Sequence, residues 1–223
     1  MALVALAPMA SQAGIPTTSK LICPIGGERF EITESLSCSQ SGERTMSMAP
    51  VSTCDFVTRL PQCPQNFLPM YKEFTEADLG LLGDYMVTES YDSNVDRSRY
   101  YLAYNIERYI GELGTSDPFL LLLHGLWYDP ENTFSDEIYM SDFFFEAQSE
   151  LRRAVEADLP YLKSMLAFAY AKVGEIKEAR VQMSEAIALE QNGFLTVYHR
   201  GIEACIAKPS SEFCSPTMLI PAN

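Results

Sequence analysis

Basic residues are scarce in this chain of 223 residues: 16 lysines and arginines stand against 30 aspartates and glutamates, a formal net charge of −14. Binding to nucleic-acid phosphates or anionic lipid draws on clustered Lys and Arg that release counterions. A surplus of acid sets the field against both, so no nucleic acid is expected as a partner. The same surplus keeps a surface soluble and suits neutral or basic partners. Long apolar runs are missing as well. The longest, Pro118 to Leu123, meets His124 and ends far short of the about 20 residues that cross a bilayer, so the mature chain is expected to have no transmembrane span.

Histidine is nearly absent, with only His124 and His199. The chain holds no Gly-x-Ser-x-Gly elbow, phosphate loop, dinucleotide fingerprint, Cys-x-x-Cys or His-Glu-x-x-His, so the common routes to nucleophilic, nucleotide-dependent, thiol-redox and zinc-hydrolase chemistry lack their parts. Carboxylates are plentiful, but none pair off as glycosidase acids do. His124 lies in an apolar stretch and reads as a core histidine, while His199 reads as a surface residue. Asp129, Glu131 and Asp136 lack the alternate spacing of a calcium loop and read as solvated. The tyrosines at 100, 101, 104 and 109 read as packing rather than a carbohydrate platform. The expectation is therefore no catalytic residue, no metal, no cofactor and no enzyme.

The cysteines are unevenly spread. Cys23, Cys38, Cys54 and Cys63 crowd the first part of the chain, Cys205 and Cys214 lie near its end, and residues 64–204 have none. Residues 1–13 are apolar and small, with Ser11 and Ala13 at the −3 and −1 positions of a cleavage site. They read as the remnant of a signal peptide whose basic start lies upstream, cut after Ala13. An export leader and an even cysteine count imply disulfides and a periplasmic or secreted location. Cys205–Cys214 is an almost forced local pair. The other four nest most simply as Cys23–Cys63 and Cys38–Cys54.

Residues 14–73 form one module in this reading. Lys20-Leu-Ile-Cys23-Pro-Ile-Gly-Gly27 and Leu60-Pro-Gln-Cys63-Pro-Gln-Asn66-Phe67 look like two copies of one turn. Zinc ribbons pair such knuckles, but Gly26 and Asn66 stand where each second cysteine would be. Two cysteines without an adjacent histidine are too few for zinc, and a disulfide can hold the same turns together. Arg29–Thr33 and Asp55–Arg59 alternate as short strands, and Ser35–Pro50 reads as a long loop. The order Cys-Pro-x-Gly-Gly-Glu-x-Phe, Leu-Pro-x-Cys-Pro, Met-Tyr-Lys-Glu-Phe-Thr resembles uncharacterised bacterial proteins in which a degenerate zinc-ribbon-like module precedes helical repeats. That resemblance spans residues 20–80 and implies relatedness without an activity.

Residues 74–207 carry a helical period. Thr75-Glu-Ala-Asp78 is a capping box, and helices are expected over 76–88, 98–113, 118–127 and 141–157. Leu159–Leu189 resembles a tetratricopeptide (TPR) repeat: Leu166, Ala167 and Tyr170 occupy the packing positions of its first helix, Gly174 the turn, and Ala179, Met183 and Ala186 those of its second. Lys163 and Gln191 depart from the pattern, standing where an aromatic residue and a proline are usual. Phe143–Asp158 repeats the second-helix pattern, with residues 118–127 as its partner across an acidic loop. Phe194–Ala207 would cap the array, followed by a tail, 208–223.

The fold class expected is mainly α, TPR-like helical hairpin repeats with a small disulfide-held β/loop N-terminal module. Repeat geometry implies a partner-binding groove over Tyr161, Ser164, Phe168 and Lys172. The function expected is a non-catalytic protein–protein interaction module, or an accessory or assembly subunit of a periplasmic or envelope complex. The alternative is a hydrolase or small-ligand-binding protein with its site between the ribbon module and the repeats.

Overall fold

Alternation and turn chemistry build the N-terminal end. In the computed structural model, which describes residues 14–112 and 114–220, β1 (Pro16–Ile22) pairs antiparallel with β2 (Arg29–Ser35), from Pro16 opposite Ser35 to Ile22 opposite Arg29. The leader expected over residues 1–13 lies outside the described residues. Next come β3 (Gln40–Thr45), inside the stretch expected to be a loop, and β4 (Pro50–Ser52), which begins at its end; the two form a hairpin. The strand expected over Asp55–Arg59 is a turn. Val57 N–H closes onto the Cys54 carbonyl at 3.1 Å, and only Thr58 reaches β2, its N–H donating to the Thr33 carbonyl at 2.9 Å.

The rest is helical. The capping box starts α1 (Glu76–Tyr85): Asp78 N–H donates to Thr75 Oγ1 at 3.2 Å, and Thr75 N–H to Asp78 Oδ2 at 2.9 Å. The short polar α2 (Glu89–Val95) has no apolar period to announce it and is nucleated by the Thr88 hydroxyl, which accepts from Tyr91 N–H at 3.2 Å. There follow α3 (Arg99–Ile110) and α4 (Asp117–Tyr128), the latter with Pro118 in its first turn. The expected acidic loop contains α5 (Pro130–Thr133). Asp136 then caps α6 (Glu137–Arg153), which begins four residues before the expected Ser141 because the carboxylate accepts from both Ile138 and Tyr139 N–H at 3.0 Å. The chain continues through α7 (Leu159–Lys172), α8 (Ile176–Leu189) and α9 (Thr196–Ala207) to β5 (Leu219–Ile220). Gly174 makes the α7–α8 turn at φ +87°, a left-handed conformation that suits glycine.

The fold is thus mainly helical, with a small β region and three disulfides. The bonds are Cys23–Cys63, Cys38–Cys54 and Cys205–Cys214. The β region and the helices share a core. Met46, Met48 and Leu60 are buried with Tyr104, Phe143, Phe168 and Met183, and the C-terminal segment joins them: Ile220 is buried there while β5 pairs with β3, Thr45 opposite Leu219. Residues before 73 and residues 214–220 thus pack into the same core as the helices. A second core sets Cys23, Cys63 and Leu68 against Leu82, Tyr91, Leu102 and Ile106 of the first three helices.

Candidate functional site

The expected groove does not exist as a surface. Helix α7 is buried on almost every side, with Ser164 at 0% and Phe168 at 1% exposure. The β3–β4 turn fills the space in front of it: Tyr161 hydroxyl donates to the Met48 carbonyl at 3.1 Å, and the Arg44 guanidinium lies over the Tyr161 ring at 5.5 Å. Lys172, at the last turn of α7, is half-buried. Of the four residues, Ser164 and Phe168 are core and Tyr161 is an internal contact. The physical reason is that other parts of the chain occupy this face: His199 of α9 lies against Ser164, Phe134 against Phe168, and the Met48 carbonyl against Tyr161.

His199 is corrected in the same way. It is buried, with Nε2 3.0 Å from Ser164 Oγ, whose own hydrogen goes to the Pro160 carbonyl at 2.7 Å. With the serine hydrogen engaged there, the imidazole is placed to donate from Nε2 to Ser164 Oγ. Burial pushes its pKa below the usual value, against the opposing pull of Glu190 and Glu203. This serine–histidine contact lacks what a nucleophile needs, since Ser164 is closed to solvent and its proton points away from the base. His124 is half-buried against Trp127 and Tyr128, and burial, helped by the Arg59 charge, lowers its pKa too.

What the structure does offer is an open cleft of about 1170 Å³ between the β/loop segment and the helices. Residues 55–60 form one wall, the α2–α3 junction a second, and the end of α4 a third. Three arginines converge on it. Arg59 lies 4.1 Å over the Tyr128 ring and pairs with Asp55 at 3.2 Å. Arg97 lies 4.0 Å over the Tyr101 ring and pairs with Asp136. Arg99 donates only to the Leu60 carbonyl, at 3.1 Å, and among the described residues no carboxylate pairs with it. Between Arg97 and Arg99 the Ser98 hydroxyl is buried with no hydrogen-bond partner. Trp127, the only tryptophan, also lines the cleft and is fixed by its indole N–H donating to the Ser47 carbonyl at 2.9 Å.

The electrostatics follow from these pairings. Burial alone would raise the Asp136 pKa, but the Arg97 hydrogen bond and charge, with the Tyr139 and Ile138 N–H groups, outweigh it and hold the carboxyl below its usual range. Burial, and then the nearby Tyr128, raise the Tyr100 pKa, so its phenol stays neutral. The acids expected to be merely solvated are engaged: Asp129 accepts from Asn132 at 2.7 Å, and Asp136 is both cap and ion-pair partner. Tyr100, Tyr101 and Tyr104 are core residues, as expected. The alternative reading of the sequence puts a site between module and helices, and the cleft lies between those elements. That reading did not point to Arg59, Arg97 and Arg99, which are up to 40 residues apart, although Arg97-Ser-Arg99 in so acidic a chain was a visible local signal.

No family model, curated protein or solved structure matches the chain. The reading of the site therefore rests on its own geometry.

Proposed function

We propose that this is a non-catalytic binding protein of an oxidising, extracytoplasmic space, which takes a carboxylate-bearing organic ligand into the cleft. The observation that carries the reading is the convergence of Arg59, Arg97 and Arg99 on one cleft in a chain of net charge −14. Arginine offers a planar fork of donors matched to a carboxylate. Arg99 has that fork uncommitted to any acid among the described residues. Tyr128 and Trp127 supply apolar walls, the mixture usual for small-ligand sites. The three disulfides support the compartment.

Trp127 makes the test direct, because all indole fluorescence comes from the cleft. Titration with citrate, succinate and oligogalacturonate is expected to shift it for at least one of these probes, with neutral maltotriose as the control. Arg99→Ala should weaken that binding by at least about tenfold, the order of one charged hydrogen bond, with the thermal midpoint unchanged. A flat response to all three anions, or equal binding by Arg99→Ala, refutes the proposal.

A second reading keeps the expected adaptor role and moves its surface. The α7–α8 hairpin supports a TPR-like unit, since Leu166, Ala167, Ala179, Met183 and Ala186 are buried in the positions that repeat requires. A repeat array stacks its next unit on the outer face of the last helices. Here a groove of about 340 Å³ between α8 and α9, lined by Met183, Ile187 and Ile206, lies beside exposed Val181. A partner subunit recovered by cross-linking from envelope fractions, and lost on Ile187→Glu, would favour this reading. Recovery that is indifferent to Ile187→Glu would count against it.

A further inference from the structure

Cys23 and Cys63 open two turns with the same hydrogen bonds. In the first, Cys23 N–H donates to the Glu28 carbonyl at 2.9 Å and Gly27 N–H to the Cys23 carbonyl at 3.2 Å. In the second, Cys63 N–H donates to the Leu68 carbonyl at 2.9 Å and Phe67 N–H to the Cys63 carbonyl at 3.0 Å. Both place left-handed backbone at the fifth residue, with φ of 73° at Gly27 and 61° at Phe67. Asn66 ties the turns together, its Nδ2 donating to the Ile25 carbonyl at 2.8 Å.

Glu28 is the unexplained member. Both carboxylate oxygens are buried without a hydrogen-bond partner, and among the described residues no lysine or arginine pairs with them. Room for the carboxylate comes from Gly26, where a side chain would collide with Glu28 Oε2. A Glu28 oxygen and the two sulfurs lie within 4.8 Å of one another. A buried acid with no donor is costly, and its neighbours are two sulfurs rather than N–H groups. What this arrangement lacks is a cation.

We propose that, once the Cys23–Cys63 bond is reduced, Cys23, Cys63 and Glu28 form a three-ligand site for Zn²⁺ with an open fourth position. Two cysteines were too few; the missing ligand comes from the same knuckle, five residues after Cys23. Tetrahedral zinc with Zn–S bonds of about 2.3 Å sets its sulfurs about 3.8 Å apart, a spacing that Cα atoms 5.7 Å apart accommodate with side-chain rotation. A dithiol reductant delivers two electrons and two protons, breaking the S–S bond and itself becoming a disulfide. Zn²⁺ then displaces the two thiol protons, and Glu28 binds as the carboxylate. The same turns are thus held by a covalent bond in an oxidising space and by a metal in a reducing one.

The experiment uses the full chain, reduced with a phosphine and desalted under argon, then titrated with Co²⁺. One equivalent should give the thiolate-to-metal charge-transfer band and the visible bands of a tetrahedral site. Zn²⁺ should bleach these, and the oxidised protein should give none. Glu28→Gln should weaken Co²⁺ binding by more than the about tenfold that loss of a supporting residue causes, whereas the double variant Cys38→Ser with Cys54→Ser should keep the band. If reduction unfolds the chain, Zn²⁺ should restore the far-ultraviolet circular dichroism of the wild type and not that of Glu28→Gln. No band and no recovery in the reduced wild type, equal affinity in Glu28→Gln, or loss of the band in the Cys38/Cys54 variant would each overturn the site.

Discussion

Phe168→Ala separates a core from a groove. Phe168 is 1% exposed, with the Phe134 ring edge-on at 5.9 Å. Truncating a buried phenylalanine removes its transfer free energy and leaves a cavity, together about 3–5 kcal/mol. For a chain of this length each kcal/mol lowers the thermal midpoint by about 2–4 °C, so the fall should be about 6–20 °C. Total stabilities run to about 5–15 kcal/mol, and the variant should still fold at low temperature, where urea unfolding followed by Trp127 fluorescence and circular dichroism gives the loss directly. The urea midpoint should move with the slope unchanged, the sign of a native-state effect. Lys172→Ala, from the same helix but half-buried, should stay within about 0.5 kcal/mol. If Phe168 instead lined an open groove, both variants would fall in that small range. A loss under about 1 kcal/mol for Phe168→Ala, at constant slope, would refute the packing described for α7.

The disulfides should rank by the loops they close. On the chain-entropy model, replacing Cys23 and Cys63 by alanine, a separation of 40 residues, costs about 4 kcal/mol, and replacing Cys205 and Cys214, separated by 9, about 3 kcal/mol; urea midpoints of the two double variants check the order. Both histidines have pKa values lowered by burial in the folded chain, so below the unfolded value of about 6.5 the unfolded state binds more protons. Thermal midpoints should be level above about pH 7 and fall progressively below 6.5. His199→Gln should flatten that fall, while Asp78, whose carboxyl is lowered first by the Thr75 N–H bond, and Asp136 act only nearer pH 4. Lys72→Met should cost about 2 kcal/mol in urea unfolding: Glu107 is buried and loses its ammonium partner at 2.8 Å but keeps the Tyr71 hydroxyl at 2.8 Å.

What could be read from the chain, and what could not, divides by the range of the interaction. Thr75-Glu-Ala-Asp78 and Gly174 act within a turn of themselves, and the helices they start or end lie where the pattern puts them. The two Cys-Pro turns are equally local, and their matching bonds bear out the likeness between them. Errors begin where a distant segment decides the outcome. Gln40–Thr45 has no strand signal of its own, yet it becomes β3 by pairing with β4 and, at Arg44 and Thr45, with Leu219 and Ile220 from the other end of the chain. Ser164 and Phe168 had the spacing of a concave face, and that spacing was real. It could not reveal that Phe134 and His199, each about 35 residues away in sequence, would pack against Phe168 and Ser164 and bury them. The β3–β4 segment has a second contact: Thr45, Ala49, Pro50 and Val51 line the cleft together with Arg59, Arg97 and Arg99. One segment thus meets Tyr161 on one side and lines the open cleft on another.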